Sequence, residues 1–232
     1  MEEVHVWRAS LHPPLRRVHA LEQTLAPDER ERADRFVRAE DRTRFIVGRG
    51  ILRRILGLYR GLDPGQLRFC YNPFGKPLLA AVAGREAIRF NVSHTGKLAL
   101  YAVTDGREVG VDIERVRPDF GTEEIAERFF SRRELAALRT LPAPRRLEAF
   151  FACWTQKEAY LKARGEGLLL PLDRFDVSLS PGQPAALLAV HDDPAEATRW
   201  SLRKLFPGPD HVAALAVEGH TWHLHCWQWS DL

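Results

Sequence analysis

The stretch Val109-Gly110-Val111-Asp112-Ile113-Glu114 decides how this chain must fold. It follows a strong turn signal at Asp105-Gly106, so a strand is predicted over residues 108–114. Side chains two residues apart share one face of a strand, and Asp112 and Glu114 therefore point the same way. Two carboxylates on one strand face either form an exposed surface, as is common on half-buried strands, or meet a partner from elsewhere in the chain.

A second stretch supplies that partner: Trp154-Thr155-Gln156-Lys157-Glu158-Ala159-Tyr160-Leu161-Lys162. Residues four apart share one face of a helix, so Trp154, Glu158 and Lys162 form a single stripe. If this helix packs beside the strand, three carboxylates meet near a lysine. Such a site suits a hard divalent cation that holds a phosphate ester.

Composition indicates a soluble globular protein. The chain has 232 residues, of which 45% are hydrophobic and 28% charged, and its formal net charge is +3. That charge is too small to indicate nucleic acid binding. No apolar run is long enough for a membrane span, and the N-terminus lacks signal-peptide features. Cys70, Cys153 and Cys226 have no metal-type spacing and are expected to be reduced thiols, so a cytoplasmic location is predicted.

Local signals predict alternating helices and strands. The predicted strands are Val4–Leu11, Leu67–Tyr71, Ile88–Val92, Leu98–Val103 and Glu108–Glu114. The predicted helices are Asp28–Arg38, Asp41–Tyr59, a segment after Thr122, a segment that begins at the capping box of Ser131, and Leu147–Arg164. Pro142 and Pro144 are expected to break the chain before the last helix. The tail from about Phe175 to Trp229 is predicted to form strands and turns.

A faint internal repeat predicts two similar halves. One helix ends at Arg60-Gly61 and another at Arg164-Gly165, and each leads to a proline and then a short apolar segment. We therefore predict an α+β fold of two similar halves related by pseudo-twofold symmetry. Residues 1–105 form the N-terminal half and residues 106–232 the C-terminal half, with the active site in the cleft between them.

Six short motifs occur together between about Pro27 and Leu172. They are Arg44, Gly75-Lys76-Pro77, Phe90-Asn91-Val92-Ser93-His94, Val109–Glu114, Arg128-Phe129-Phe130-Ser131 and Trp154–Lys162. Each is weak alone, but their order and spacing resemble the 4′-phosphopantetheinyl transferases, specifically the longer, two-half, surfactin-synthetase-activating type. The resemblance implies transfer of the phosphopantetheine arm of coenzyme A to a serine of an apo acyl, peptidyl or aryl carrier protein. The other product would be adenosine 3′,5′-bisphosphate.

The resemblance also implies roles for the acidic motifs. Asp112, Glu114 and Glu158 match the family's Mg²⁺ ligands, and Mn²⁺ is an alternative metal. Glu158 is the first choice of general base for the incoming serine, directly or through a water molecule. Lys162 resembles the lysine that contacts the phosphates. Lys157 belongs to the same motif, yet its position allows either a role in the site or a solvated lysine.

Coenzyme A binding is implied for a second set of residues. Ser93 and His94 match the pair that binds coenzyme A, with the histidine near phosphate; Asp112 and Lys162 complete that site. The residues matched to its nucleotide end, including the 3′-phosphate, are Arg44, Gly75, Lys76 and Pro77. Glu29 departs from the pattern because relatives often carry a lysine there, so weaker selectivity for the 3′-phosphate is expected.

The implied partner is a carrier protein with an acidic surface, in fatty-acid, polyketide or nonribosomal-peptide synthesis. Arg128, Arg132 and Arg133, on a segment just after the strand of the first acidic motif, are candidates to steer it. The resemblance implies a monomer, with no nucleic acid or membrane partner. Two alternatives stay open: a metal-dependent phosphodiesterase or nucleotide hydrolase, and a non-enzymatic module that binds coenzyme A or nucleic acid. A metal site at His220, His223 and His225 is disfavoured because strand alternation predicts a sheet surface there.

Overall fold

A computed structural model describes residues 2–80, 87–167, 170–180 and 182–230. Its strands are β1 (Glu3–Ser10), β2 (Phe69–Tyr71), β3 (Pro77–Leu79), β4 (Ile88–Thr95), β5 (Leu98–Asp105), β6 (Val109–Arg115), β7 (Phe175–Val177), β8 (Leu187–Val190), β9 (Trp200–Leu205), β10 (His211–Glu218) and β11 (His223–Gln228). Its α-helices are α1 (Leu15–Glu22), α2 (Pro27–Asp34), α3 (Ala39–Arg60), α4 (Thr122–Phe129), α5 (Arg132–Thr140) and α6 (Ala143–Arg164).

Two sheets form the centre of the molecule. The first has the order β11-β1-β5-β4, with β1 antiparallel to β5 and parallel to β11. The second has the order β6-β10-β9 and is antiparallel throughout. Strand β11, which a division after residue 105 assigns to the C-terminal half, therefore completes the N-terminal sheet. The edge strands β4 and β6 lie side by side, and side chains of β4 hydrogen-bond to the backbone of β6.

Each sheet is packed against one long helix, and the two helices match closely. Both α3 and α6 have 22 residues and end at a glycine in the left-handed region, Gly61 at φ 62° and Gly165 at φ 68°. Only glycine adopts this conformation without strain, which explains why both helices stop where they do. The predicted α+β fold with two similar halves is confirmed.

Three apolar cores hold these layers together. One surrounds α3 and includes Ile51 and Ile55, and another surrounds α6 and includes Phe150 and Tyr160. The third lies where the two sheets meet, and its members include Val6, Leu100, Val111 and Leu215. Because the third core joins strands from both sheets, the two halves form one packed unit. Within the described residues no helix is long and apolar enough to cross a membrane.

Some local predictions differ from the structure. Helix α1 was not predicted, and α2 ends at Asp34 rather than Arg38. Helix α6 begins at Ala143, because Pro144 lies in its first turn, where the missing N–H interrupts no hydrogen bond. The capping box at Ser131 is confirmed: its Oγ accepts a hydrogen bond from the N–H of Glu134, whose carboxylate accepts one from the N–H of Ser131.

Candidate active site

The candidate site depends on a very close approach of strand β6 to helix α6. A Cβ atom at Gly110 would lie 2.1 Å from the carbonyl oxygen of Ala159 and 2.3 Å from the nitrogen of Ala163. Only glycine allows two backbones to come this near. The glycine of the first acidic motif therefore brings Asp112 against the part of α6 that carries the second motif.

Asp112 is the centre of a buried hydrogen-bond network. Its side chain is about 4% exposed, and its Oδ1 accepts hydrogen bonds from Ser93 Oγ at 2.8 Å and from Lys162 Nζ at 2.5 Å. Lys162 Nζ also lies 3.1 Å from Ser93 Oγ. These contacts bring together three residues that the motifs single out: one from β4, one from β6 and one from α6.

Asn91 is a site residue that the sequence-based interpretation did not identify. Its Oδ1 accepts a hydrogen bond from the N–H of Val111 at 2.9 Å, and Ser93 Oγ accepts one from the N–H of Ile113 at 3.3 Å. Side chains of β4 thus replace the missing strand partner of β6 across the cleft. The available signal was spacing, since Asn91 and Ser93 are two apart and share a strand face.

Asp112 acts electrostatically on both Glu114 and Glu158. The pKa of Glu158 is raised, mainly by burial and further by Asp112, while Lys162 acts in the opposite direction. The pKa of Glu114 is also raised, first by burial and then by Asp112. Three carboxylates that disfavour one another's charge provide the environment that a divalent cation relieves.

Asp112 carries an oxygen donor of the kind that a hard cation takes. Oδ2 of Asp112 is buried and has no hydrogen-bond partner among the described residues, which leaves one strong oxygen donor available. No ready-made cluster of three His, Cys, Asp or Glu side chains occurs in the described ranges. The other oxygen of Asp112 is paired with the ammonium of Lys162.

A cavity of about 320 Å³ lies in the N-terminal half, and its lining includes His94, the chain neighbour of Ser93. Its wall includes Arg44 and Phe45 of α3 on one side, and Pro77 and His94 on the other. The pKa of His94 is lowered by burial, then by Arg44 and Lys162, so the neutral imidazole is favoured. Arg44 forms an ion pair with Asp41 at 3.0 Å. A cationic rim around an apolar floor suits a nucleotide phosphate.

Lys76 lies at the contact between the halves. Its Nζ is 3.1 Å from Glu108 Oε2 and donates to the carbonyl oxygen of Ala163 at 2.9 Å. Asn72 of the same turn donates to the carbonyl oxygen of Gly165 at 2.7 Å. Gly75 closes this turn at φ 84°. The turn therefore binds the C-terminal end of α6 and carries the adjoining residue 77 into the cavity wall.

Lys157 occupies neither of the two environments that its position allows. Its side chain is fully buried, and Nζ contacts Glu134 Oε2 at 2.8 Å. The same nitrogen donates to the carbonyl oxygens of Leu172 and Phe175 at 2.7 and 2.6 Å. Lys157 faces the core of the C-terminal half because neighbours on a helix point in different directions, so the solvated alternative is wrong.

The basic and histidine clusters are exposed. Arg128, Arg132 and Arg133 are exposed on α4 and α5. His223 and His225 are exposed on β11, while His220 contacts the carbonyl oxygen of Thr198 on the loop before it. His223 and His225 thus lie on a sheet surface.

The chain was compared with known proteins. The model of the 4′-phosphopantetheinyl transferase superfamily matches residues 108–216, and the model of the 4′-phosphopantetheinyl transferase N-terminal region matches residues 7–105. The 4′-phosphopantetheinyl transferase HetI of Nostoc sp. is 43% identical over 228 residues, which cover 98% of this chain and 93% of that protein. The transferase Sfp of Bacillus subtilis is 34% identical over 67% of this chain and 66% of its own length.

Similarity extends beyond bacteria. The human L-aminoadipate-semialdehyde dehydrogenase-phosphopantetheinyl transferase is 28% identical over 84% of this chain and 67% of its own length. Among solved structures, the Thermotoga maritima holo-[acyl-carrier-protein] synthase is 26% identical over 48% of this chain and 62% of that one, with a TM-score of 0.39. Because both halves match and one relative aligns over nearly its full length, this chain belongs to the 4′-phosphopantetheinyl transferase superfamily of enzymes.

Proposed function

We propose that this enzyme transfers the 4′-phosphopantetheine moiety of coenzyme A to a serine hydroxyl of an apo carrier protein. In this reaction the serine oxygen bonds to the phosphorus that bears the pantetheine arm. The bond from that phosphorus to the bridging oxygen breaks, and the electron pair leaves with adenosine 3′,5′-bisphosphate. The observation that carries the proposal is the contact of Asp112 with Ser93 and Lys162. Asp112 also contributes to the raised pKa of Glu158.

The nucleotide end of coenzyme A is proposed to bind in the cavity of the N-terminal half. Arg44 and His94 offer donors to its phosphates, and Gly75 and Pro77 shape the turn beside it. Lys76 supports this side of the cleft through its bonds to Glu108 and α6. In this proposal residues 1–105 supply most nucleotide contacts, and residues 106–232 supply the acidic groups.

Glu158 is proposed as the general base that receives the serine proton. Its carboxylate lies near Asp112 and Lys162, so it is a candidate to accept the serine proton directly or through a water molecule. Lys162 is placed to exchange its bond to Asp112 for a bond to a phosphate oxygen, because its side chain is about 30% exposed. Ser93 orients both partners, since its hydroxyl contacts Asp112 and Lys162.

The donor set supports a requirement for Mg²⁺, with Mn²⁺ as a substitute. Asp112, Glu114 and Glu158 would hold the ion, and the unpartnered Oδ2 of Asp112 is the strongest indication. When bound, the ion would neutralise charge on the diphosphate. The two raised carboxyl pKa values are expected to fall on binding, because an adjacent cation favours the ionised form.

The proposed partner is an acidic carrier protein, attracted by exposed Arg128, Arg132 and Arg133. Charge complementarity of this kind mainly raises the association rate. The three cysteines are free thiols, which agrees with a cytoplasmic protein, and a monomer is proposed.

Intact-protein mass spectrometry tests the proposal. The protein is incubated with Mg²⁺, coenzyme A and a panel of apo carrier proteins, and a parallel sample contains a chelator. The expected result is a metal-dependent mass gain of one phosphopantetheine on the carrier serine. Release of free phosphopantetheine without any carrier would instead support the hydrolase alternative. Coenzyme A binding without turnover on any carrier would support a binding module.

A further inference from the structure

The wall of the nucleotide cavity contains two arginines that no motif singles out, and one of them, Arg49, is largely buried. Arg49 lies on α3 about one turn after Arg44, and both residues line the same cavity as His94. We propose that Arg49, held in position by the buried carboxylate of Glu29, is a further residue that recognises a phosphate at the nucleotide end of coenzyme A. This inference rests on the proposed function, since it assigns that end of the co-substrate to this cavity.

Glu29 forms buried ion pairs with two arginines of α3. Its side chain is about 4% exposed, and its Oε2 accepts a hydrogen bond from the N–H of Ala26 at 2.9 Å and from Arg53 Nε at 2.5 Å. Arg49 Nε lies 3.4 Å from the other oxygen, Oε1. The carboxylate thus joins α2 to two successive turns of α3. A charge that is buried and paired in this way does not present itself to a ligand as a free anion.

Arg49 contacts Glu29, Phe69 and Tyr71. Its side chain is about 9% exposed, and its guanidinium lies over the ring of Phe69 at 4.9 Å. Nη2 makes only a long contact of 3.4 Å with the hydroxyl of Tyr71. Nη1 is buried and has no hydrogen-bond partner among the described residues. An unsatisfied buried guanidinium nitrogen is costly. Because Arg49 lines the cavity, a phosphate bound there would offer its guanidinium the acceptor that it lacks.

The charges around the cavity agree with an anionic ligand. Its lining includes the three arginines Arg32, Arg44 and Arg49 and one acidic residue, Asp41, which is paired with Arg44. Arg32 is exposed and lies over the ring of Phe45 at 5.2 Å. Two positive charges therefore remain in excess, the number needed to balance a phosphate monoester dianion.

This arrangement changes the role expected of Glu29. An acidic residue at a position where relatives often carry lysine is expected to weaken phosphate selectivity. Here Glu29 instead orients an arginine one helix away, and Arg49 takes over phosphate recognition. Glu29 is a positioning residue, because it acts through Arg49. If Glu29 only held α2 against α3, its removal would weaken the binding of all ligands equally.

The test compares coenzyme A with 3′-dephospho-coenzyme A by titration calorimetry on the full chain, which needs no turnover. We expect Arg49→Gln to weaken binding of coenzyme A by about 10- to 100-fold, the effect of one charged hydrogen-bonding partner, and to change binding of the dephospho form by less than about threefold. Arg49→Lys should retain part of the preference for coenzyme A over the dephospho form. The preference of Glu29→Gln should lie between those of Arg49→Gln and Arg49→Lys. Arg54→Gln, on the same helix but lining a different cavity, is the matched control.

Each outcome decides the inference. A loss of preference confined to coenzyme A, with an unchanged unfolding transition, supports it. Equal weakening of both ligands by Arg49→Gln, or no effect on either, overturns it and leaves the proposed function intact. Failure of the unmodified chain to bind either ligand overturns the proposed function as well.

Discussion

The ammonium nitrogen of Lys162 lies 2.5 Å from Oδ1 of Asp112, although the two residues are 50 positions apart in the chain. This contact crosses from α6 to β6 and joins the two acidic motifs into one site. It also shows how the protein tolerates a buried carboxylate before any ligand arrives, because a positive charge accompanies it. A phosphate group that attracts Lys162 would release that oxygen of Asp112 for another partner.

Removal of the proposed base should separate activity from stability. We expect Glu158→Ala to lower the transfer rate by at least about 100-fold, the usual contribution of a general base. Stability at pH 7 should not fall through loss of this charge, because a carboxyl whose pKa is raised in the folded state costs folding energy at that pH. Rate measurements and urea denaturation check both parts. Glu148→Ala, exposed on the same helix, is the control; substantial residual turnover would refute the assignment.

The two lysines of the second motif should respond differently to the same substitution. Lys157→Met leaves Glu134 buried without its cation, so we expect a loss of about 3–5 kcal/mol in the free energy of unfolding. Lys162→Met should mainly lower the transfer rate, by about 100-fold, because a preorganised charge at the phosphate is lost. Denaturant midpoints and rates are measured together. An Lys157→Met protein of normal stability would contradict this division.

Gly110 should be intolerant of any side chain. A Cβ there would collide with backbone atoms of Ala159 and Ala163, which cannot move aside as a flexible side chain can. We expect Gly110→Ala to destabilise the protein by about 3 kcal/mol or more, at the upper end of overpacking effects. Gly48→Ala is a control for which the change in stability should have the opposite sign. Its Cβ would meet only ordinary contacts at 3.8 Å, so a gain of about 0.5–1 kcal/mol is expected inside a helix.

Lys76 offers a test of whether its side chain contacts ligand or supports the fold. Burial lowers its pKa despite the neighbouring Glu108, and its bonds run to α6. We expect Lys76→Met to reduce the free energy of unfolding by about 1–3 kcal/mol, the cost of lost charged hydrogen bonds. The KM for coenzyme A should change less than the stability. A large rise in KM with unchanged stability would instead support direct phosphate contact.

Ligand binding near His94 should take up a proton. Its pKa is lowered from the usual 6.5, so the free protein carries a neutral imidazole at pH 7, and an adjacent phosphate favours the charged form. Calorimetry in two buffers of different ionisation enthalpy should reveal this uptake, and His94→Gln should abolish it. His223→Gln, exposed on β11, is the control. Equal heats in the two buffers for the unmodified protein would contradict the prediction.

The same lowered pKa has a consequence for stability. Between pH 6.5 and the lower folded-state pKa of His94, the unfolded chain binds more protons than the folded one. The contribution of this group to stability is therefore present above pH 6.5 and is lost as the pH falls through that range. Thermal unfolding of His94→Gln should show a weaker decline over this range than the unmodified protein.

Short-range patterns were sufficient for much of the fold and for the principal carboxylates. Helix and strand periodicity alone places Glu158 and Lys162 on one stripe, and Asp112 and Glu114 on one strand face. The glycines that end α3 and α6 revealed the repeated architecture, because a left-handed residue is a local property of the backbone. These features depend on residues within a few positions of one another, which is why the sequence was enough.

Other features depend on contacts between distant segments. Strand β11 joins β1 at the opposite end of the chain, and no local pattern specifies that pairing. Likewise, burial of Glu29 and Lys157 could not be inferred from their types, since each charge is tolerated only because partners from other elements surround it. The sequence by itself determined which residues share a face. The tertiary structure decided which faces meet, because the energy of a buried charge or a close backbone contact depends on what lies opposite.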